Sequence, residues 1–320
     1  MAHMVETMAY AGATPWHGLG VRVIADLTPE QMLDKAGLNW AVDKVPAYVD
    51  YNGQKLATGR QALVRSSDAR VLTVISDDWK PVQNSEAFEF FNDFVLAGDM
   101  EMHTAGSLRD GNMVWALAKI KDSFSLFGGK DVVESYLLFS NPHEYGKSID
   151  VRLTPIRVVC NNTLTLSLSQ KSDMMVRINH RKEFDGELVK QTMGIAKDKL
   201  TQYKDMSEFL ASKNFSKDKV TEYFATVFPM TTTAKEKAAN ENAGSKLSRP
   251  ATVAFDVLDT QPGAELGQGT WWQAFNSVTY SIDHLLGHNT ASRLNSSWYG
   301  VNRQKKIQAL EKAVEFANAA

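Results

Sequence analysis

The sequence predicts an α+β fold, in which a largely antiparallel sheet with packed helices is followed by a helical C-terminal region. Between residues 61 and 153, short β-like runs follow one another with turn signals between them, which is typical of antiparallel strands. After residue 185, apolar residues recur at helical spacing. The 320 residues, of which 43% are hydrophobic, suffice for a large core.

Residues 1–60 are predicted to form an N-terminal arm, a short helix and a hairpin. In "LTPEQMLDKAG", Thr28 is a candidate N-cap, Pro29 takes the first helical position and Gln31 completes a capping box. Asn52-Gly53, the preferred dipeptide of a tight hairpin turn, lies between two β-like runs.

The motif "TPWHGLG" in the N-terminal arm is interpreted as a turn. Its two glycines lead into the β-like "VRVI" rather than into a helix, which argues against a dinucleotide-binding loop. We expect Trp16 to anchor the arm to the domain or to a neighbouring subunit, with His17 hydrogen-bonded beside it.

Residues 61–228 are predicted to form an α+β core with a helical extension. The run "VLTVISDD" is β-like, and "NSEAFEFFNDFVLAG" has helical spacing with Asn84 as a candidate cap. Four β-like runs follow, and "TPIRVVCNNTLTLSLS" fits either a helix or a strand, of which we favour the helix. Two amphipathic helices complete the segment.

Residues 229–269 are predicted to be a flexible linker, because "TTTAKEKAANENAGSKLSRP" has few large apolar residues. Residues 270–320 are predicted to be C-terminal helices. Their first part carries an apolar stripe that must pack on a core or on a partner helix. The stripe consists of Trp271, Phe275, Val278 and Ile282, followed by Leu285.

Several motifs together resemble a family of phage- and plasmid-borne proteins of unknown function, the phage/plasmid-like proteins. They are "PWHGLG", "SDDWKPVQNSEAFEF", "TAGSLRDGNMVWALAKI", "LTPIRVVCNNTL" and "GTWWQAFNSVTYSIDH". The resemblance implies a phage or plasmid context, and it implies no activity and no catalytic residue.

Composition excludes several classes of protein. The formal net charge of −2 lacks the global basic excess of many nucleic-acid-binding proteins, so any such binding must use a local patch. The single cysteine, Cys160, excludes an intramolecular disulfide. No export signal and no apolar run of membrane-spanning length is visible, so we expect a cytoplasmic protein, in the host cytoplasm if phage-encoded, that is not associated with a membrane.

The sequence provides no motif for catalysis, a cofactor or a metal. His284 and His288 have the spacing of a zinc-binding helix, but no third ligand is indicated. Cys160 lies on the apolar side of its segment, where a lone cysteine is usually a small buried side chain. We therefore name no catalytic residue and expect neither a metal nor a cofactor.

Basic and amide side chains concentrate in two segments around the predicted sheet. If the segments are neighbours, they form a stripe that can follow a phosphate backbone. The stripe would consist of Lys147, Arg152, Arg157, Asn161, Asn162, Arg177 and Arg181. The alternative is a solvated strand face on which the cations pair with acidic residues such as Asp150.

These observations favour an accessory protein encoded by a phage or plasmid. It would bind single-stranded DNA during recombination or replication and would form a homo-oligomer. The order of core elements is loosely similar to that of phage single-strand annealing proteins, although fold does not fix function. The alternative is a non-catalytic protein-interaction module that binds a host or phage protein. An enzyme is the least supported class.

Overall fold

The computed structural model of the chain describes residues 5–12, 20–159, 162–163, 177–178, 186–230, 247–287 and 290–319. Its strands, numbered in chain order, are β1 (Val5–Ala11), β2 (Val21–Val23), β3 (Val42–Tyr51), β4 (Gln54–Arg65), β5 (Val71–Ile75), β6 (Met100–Leu108), β7 (Met113–Leu126), β8 (Asp131–Pro142), β9 (Ile149–Arg157), β10 (Asn162–Thr163) and β11 (Arg177–Ile178).

The helices include nine α-helices within the described ranges. They are α1 (Pro29–Lys35), α2 (Asn84–Glu89), α3 (Asn92–Leu96), α4 (Gly186–Ser212), α5 (Lys217–Val227), α6 (Arg249–Asp256), α7 (Trp271–Tyr280), α8 (Thr290–Tyr299) and α9 (Val301–Asn318). A 3-10 turn (Ala264–Gly267) precedes α7, and a π-helical turn (Ser281–Leu285) follows it.

The central sheet has the strand order β10-β9-β8-β7-β6-β1-β2, and β11 also pairs with β9. Strands β6 to β9 form an antiparallel meander, β1 pairs antiparallel with β6, and β2 pairs parallel with β1. Gly106 permits the close approach of β1, since a Cβ atom there would lie 2.4 Å from the carbonyl oxygen of Thr7. The predicted α+β class, with a largely antiparallel sheet and a helical C-terminal region, is confirmed.

A separate three-stranded sheet has the order β3-β4-β5. Asn52 and Gly53 both have positive φ at the β3–β4 turn, which confirms the predicted tight turn. Arg65 at the base of this hairpin bonds Glu6 of β1 at 2.8 Å and Asp68 at 2.6 Å. These ion pairs tie the small sheet to the central one.

Of the two predicted helix starts, the one at Thr28 is observed and the one at Asn84 is displaced by one residue. Helix α1 has the predicted capping box, in which the Thr28 side chain accepts from the Gln31 backbone and the Gln31 side chain accepts from the Thr28 backbone. The single helix predicted from Asn84 is instead two short helices, α2 and α3, and Gln83 rather than Asn84 is the N-cap. The Asn84 side chain is buried and donates to the carbonyl oxygens of Leu38 and Trp40.

The central sheet has apolar residues on both faces. One face packs against the helices and includes Ile149, Val151 and Leu153 of β9. The second face carries a separate apolar cluster, which is completed by Trp298 of α8. The indole ring of Trp298 meets that of Trp115 edge-on, with 4.9 Å between the ring centroids. We call these two surfaces the helical face and the second face.

The segment "TPIRVVCNNTL" departs from the predicted helix. Strand β9 continues through Thr154 to Arg157, and Asn162–Thr163 forms β10 beside it. Pairing with β8 along its length, up to Val133↔Arg157, satisfies the backbone groups of this segment as strand. Over residues 154–157 the segment is therefore strand and not helix.

The predicted linker is also partly a folded element. Within residues 229–269, Ala251 and Ala254 of α6 are fully buried in the helical-face core. Their small side chains permit close packing of α6 on that core, while residues 231–246 of the predicted linker lie outside the described residues. Four residues of the predicted apolar stripe are buried as well, namely Trp271, Phe275, Val278 and Ile282, whereas Leu285 at its end is 44% exposed. These side chains pack inside the chain itself.

Candidate functional site

Arg157 lies on the helical face, where it is 4% exposed. Its guanidinium pairs with the fully buried Asp131 carboxylate at 2.7 Å and donates to the Gly263 carbonyl oxygen at 2.9 Å. The indole Nε1 of Trp272 donates to the same carboxylate at 2.8 Å. Arg157 thus joins β8 and β9 to α7 and the 3-10 turn, and it does not contribute to an exposed stripe.

Arg152 lies on the second face, because an odd number of strand positions separates it from Arg157. It is 6% exposed, pairs with Asp150 and donates to the carbonyl oxygen of Trp298. The guanidinium also lies 5.2 Å from the ring centroid of Tyr299. For this arginine the alternative interpretation, pairing with Asp150, is the observed one.

A polar pocket of about 460 Å³ opens on the second face beside Arg152. We call it the Arg152 pocket. It forms where the β6–β7 turn, the β8–β9 connection and the junction between α8 and α9 meet. Its lining comprises Arg109, Met113, Ser140, Pro142, Gly146, Lys147, Ser148, Asp150, Arg152, Tyr299 and Gly300.

Cations and hydroxyl groups dominate the chemistry of the Arg152 pocket. Arg109 extends from the β6–β7 turn and pairs with Glu144 at 2.8 Å, while Lys147 is exposed to solvent. The hydroxyl groups of Ser140 and Tyr299 bond each other. Burial raises the pKa of Tyr299 above its usual range, so this hydroxyl stays protonated and can donate a hydrogen bond.

Three buried polar atoms at the pocket lack a hydrogen-bond partner in the part of the chain that the structure describes. They are the Nε atoms of Arg109 and Arg152 and the Oδ1 atom of Asp150. Buried polar groups are nearly always satisfied, by protein atoms, by water or by a ligand. Two such donors at one pocket favour an acceptor-rich occupant.

The pocket brings together two of the residues proposed for the basic stripe, Lys147 and Arg152. Strand β11 places the backbone of Arg177 opposite Asp150, and β10 places that of Asn162 opposite Arg157, whereas the side chains of both lie outside the described part. Asn161 and Arg181 lie outside the described residues, as do Trp16 and His17 of the N-terminal motif.

Arg109 and Tyr299 were missed by the sequence analysis. Arg109 precedes Asp110-Gly111, a typical turn dipeptide between two of the β-like runs, and Tyr299 lies 190 residues further along the chain. A turn residue with positive φ beside an antiparallel meander is a weak signal for a site. Only the folded chain brings the two together.

A second polar cluster lies further along the second face. Glu134 accepts from Lys119 and from the Tyr136 hydroxyl, both at 2.6 Å, and the His103 ring lies 5.0 Å from that of Tyr136. Burial lowers the pKa of His103, although the negative charge of Glu134 acts to raise it. Because the Glu134 carboxylate is already held by two donors, this cluster fits a structural role better than ligand binding.

The remaining candidates supply no site. Cys160 and His288 lie outside the described residues. The described ranges contain no group of three or more histidine, cysteine or acidic residues that could hold a metal ion. Within the same ranges, every helix is too short or too polar to cross a membrane.

Comparison with known proteins gives one match. The model of a protein family, the "Domain of unknown function (DUF932)", matches residues 71–309, which include the whole lining of the Arg152 pocket. No curated protein and no solved structure matches the chain.

Proposed function

We propose, for a chain that belongs to the DUF932 family of unknown function, that it binds single-stranded nucleic acid by holding backbone phosphate in the Arg152 pocket. The observation that carries the proposal is the convergence of Arg109, Lys147 and Arg152 on one polar pocket. Two of these cations have a buried Nε donor for which the described part of the chain supplies no acceptor.

The charge balance of the pocket suits an anion. Arg109, Lys147 and Arg152 face the carboxylates of Glu144 and Asp150, which leaves one positive charge in excess. The pair between Arg109 and Glu144 is partly exposed, with about a third of each side chain accessible, so it costs little to rearrange. A guanidinium matches the geometry of a phosphate, with which it can form two parallel hydrogen bonds.

A further cation, Arg70, is joined to the β6–β7 turn beside the pocket. Its side chain is 42% exposed and pairs with Asp68 at 3.5 Å and with Asp110 at 3.3 Å, and Asp110 follows Arg109 directly in the chain. A strand crossing from Arg70 past Arg109 to Lys147 would place successive phosphates near cations. This path replaces the stripe expected from Arg157.

The wider role that fits this binding is that of a phage- or plasmid-encoded accessory protein in DNA recombination or replication. The motifs quoted above, which resemble phage/plasmid-like proteins, support this context. The antiparallel meander followed by the long helix α4 supports an annealing-like role only as an analogy between folds.

The proposal is tested by fluorescence anisotropy with a labelled oligothymidylate at low salt. Backbone binding through three or four cations predicts a log–log slope of affinity against salt concentration of about −2 to −3 on a single strand. Lys147→Glu should weaken binding and reduce the magnitude of that slope by about 0.7, because one phosphate contact is lost.

Lys217→Glu is the matched control. Lys217 is equally exposed but begins helix α5, far from the pocket in the chain, and an acidic residue is well tolerated at a helix N-terminus. This variant should bind like the parent. Absence of binding at low salt, or equal losses from the two substitutions, would rule out the Arg152 pocket as the nucleic-acid site.

A further inference from the structure

The three-stranded sheet presents an apolar face to solvent. The strand register aligns Val45, Ala62 and Val74 across β3, β4 and β5, and it places Val49 opposite Leu56. Because side chains alternate along a strand, Val45, Val49 and Tyr51 share one face. The large apolar residues of this face are between 38% and 64% exposed, and they comprise Val45, Val49, Tyr51, Leu56, Val71 and Val74.

The opposite face of the same sheet is packed against a small core at its base. Leu63 and Ile75 lie there and are fully buried in a small core with Trp79. Towards the hairpin tip, Asp50 and Lys55 form a cross-strand pair on this side. The sheet therefore has one packed face with a charged tip, and one uncovered face made of aliphatic and aromatic side chains.

We infer that this uncovered face, which we call the β3–β5 apolar face, is the interface through which two copies of the chain form a symmetric dimer. By strand alternation this face carries one charge of each sign, on Asp43 at the base of the hairpin and on the exposed Arg60 of β4. A mainly apolar face whose single cation is offset by a carboxylate does not suit a phosphate backbone, which points to a protein occupant rather than nucleic acid.

A second copy fits this face because a two-fold axis brings the same patch against itself. The two charged residues of the face, Asp43 and Arg60, have opposite signs, so a two-fold contact between copies does not have to set like charges against each other. Sheets also pack face to face through their apolar sides, with strand directions within about 30° of each other.

The size of the face is adequate for a dimer. Six half-exposed side chains of these types present on the order of 500 Å² of apolar surface per copy. Two copies would bury about 1,000 Å², which reaches the lower bound of specific protein interfaces. Such a patch is also at the upper end of what monomers usually expose.

Sedimentation velocity of the full chain over a range of micromolar concentrations tests the inference. The parent should form a species of twice the 35.6 kDa chain mass. Replacing Val49 and Val74 by lysine should weaken the dimer by at least about 100-fold, since each copy would bury two unpaired charges. The milder pair Val49→Thr and Val74→Thr, which keeps β-branched side chains, should give an intermediate loss.

Tyr48→Lys is the matched control, because Tyr48 is 57% exposed on the same hairpin but lies opposite Ala57 on the other face. It should leave the dimer intact. Far-UV circular dichroism should be unchanged in all variants, since the replaced side chains are on the surface. A monomeric parent, a lysine double variant that dimerises like the parent, or an equal loss from Tyr48→Lys would each overturn the inference.

Discussion

Replacing Asp131 by alanine removes the acceptor that balances the buried charge of Arg157. The carboxylate is fully buried and accepts from the Arg157 guanidinium and from the Trp272 indole at 2.7–2.9 Å. In the variant, a guanidinium whose side chain is 3% exposed would lose its counter-charge, and the indole would lose its acceptor. We expect the folded state to be strongly destabilised.

The size of this destabilisation follows from the burial of the Arg157–Asp131 ion pair. Removing one partner of a buried ion pair costs about 3–5 kcal/mol, because the other charge stays desolvated without compensation. At about 2 °C per kcal/mol for a chain of this size, the melting temperature should fall by roughly 6–10 °C. Arg157→Glu should cost more, since it would set two carboxylates against each other at a site closed to water.

Urea denaturation followed by tryptophan fluorescence measures the effect. Glu222→Ala is the control, because that glutamate pairs with Lys219 at 3.0 Å on the surface of α5, where both side chains are more than half exposed. It should change the free energy of unfolding by less than about 1 kcal/mol. If Asp131→Ala were as mild as the control, the structural role assigned to Arg157 would be refuted.

Two further predictions concern the core and the pH dependence of stability. Trp271→Ala should lower the free energy of unfolding by about 3–5 kcal/mol without changing the sedimentation coefficient of the folded protein, since Trp271 is fully buried in the chain; a changed oligomeric state at unchanged stability would contradict this. Burial lowers the pKa of His103 from 6.5, so its contribution to stability is complete above about pH 6.5 and is lost as the pH falls through the lowered pKa of the folded state. The free energy of unfolding, measured by urea titration, should therefore decrease less between pH 7.5 and pH 5 in His103→Gln than in the parent. An identical decrease in both proteins would exclude His103 as the source of the pH dependence.

Local signals in the sequence predicted much of the fold. The capping box at Thr28 and the tight turn at Asn52-Gly53 depend only on neighbouring residues, and both occur as expected. The helix predicted over "TPIRVVCNNTLTLSLS" was wrong at residues 154–157, because β8 offers these residues a ladder of backbone partners. Such a long-range partner is not visible in the spacing of apolar residues.

The candidate site was less predictable, and one error explains why. Once residues 154–157 are assigned to a strand, the alternation of side chains puts Arg152 and Arg157 on opposite faces, so a continuous stripe through both is impossible. The sequence analysis named Lys147 and Arg152, and both line the Arg152 pocket. It missed Arg109 and Tyr299, because their proximity depends on the packing of α8 and α9 against the second face.

The position of β1 has a consequence for synthesis of the protein. This strand is synthesised before the other described elements, yet its antiparallel partner is β6, and Ala9 pairs with Ala105 across 96 residues. At translation rates of about 5–20 residues per second, β1 waits roughly 5–20 s for β6 to be made. Throughout that interval the edge of β1 that pairs with β6 lacks its partner, and this is the period in which a holding chaperone would have most to protect.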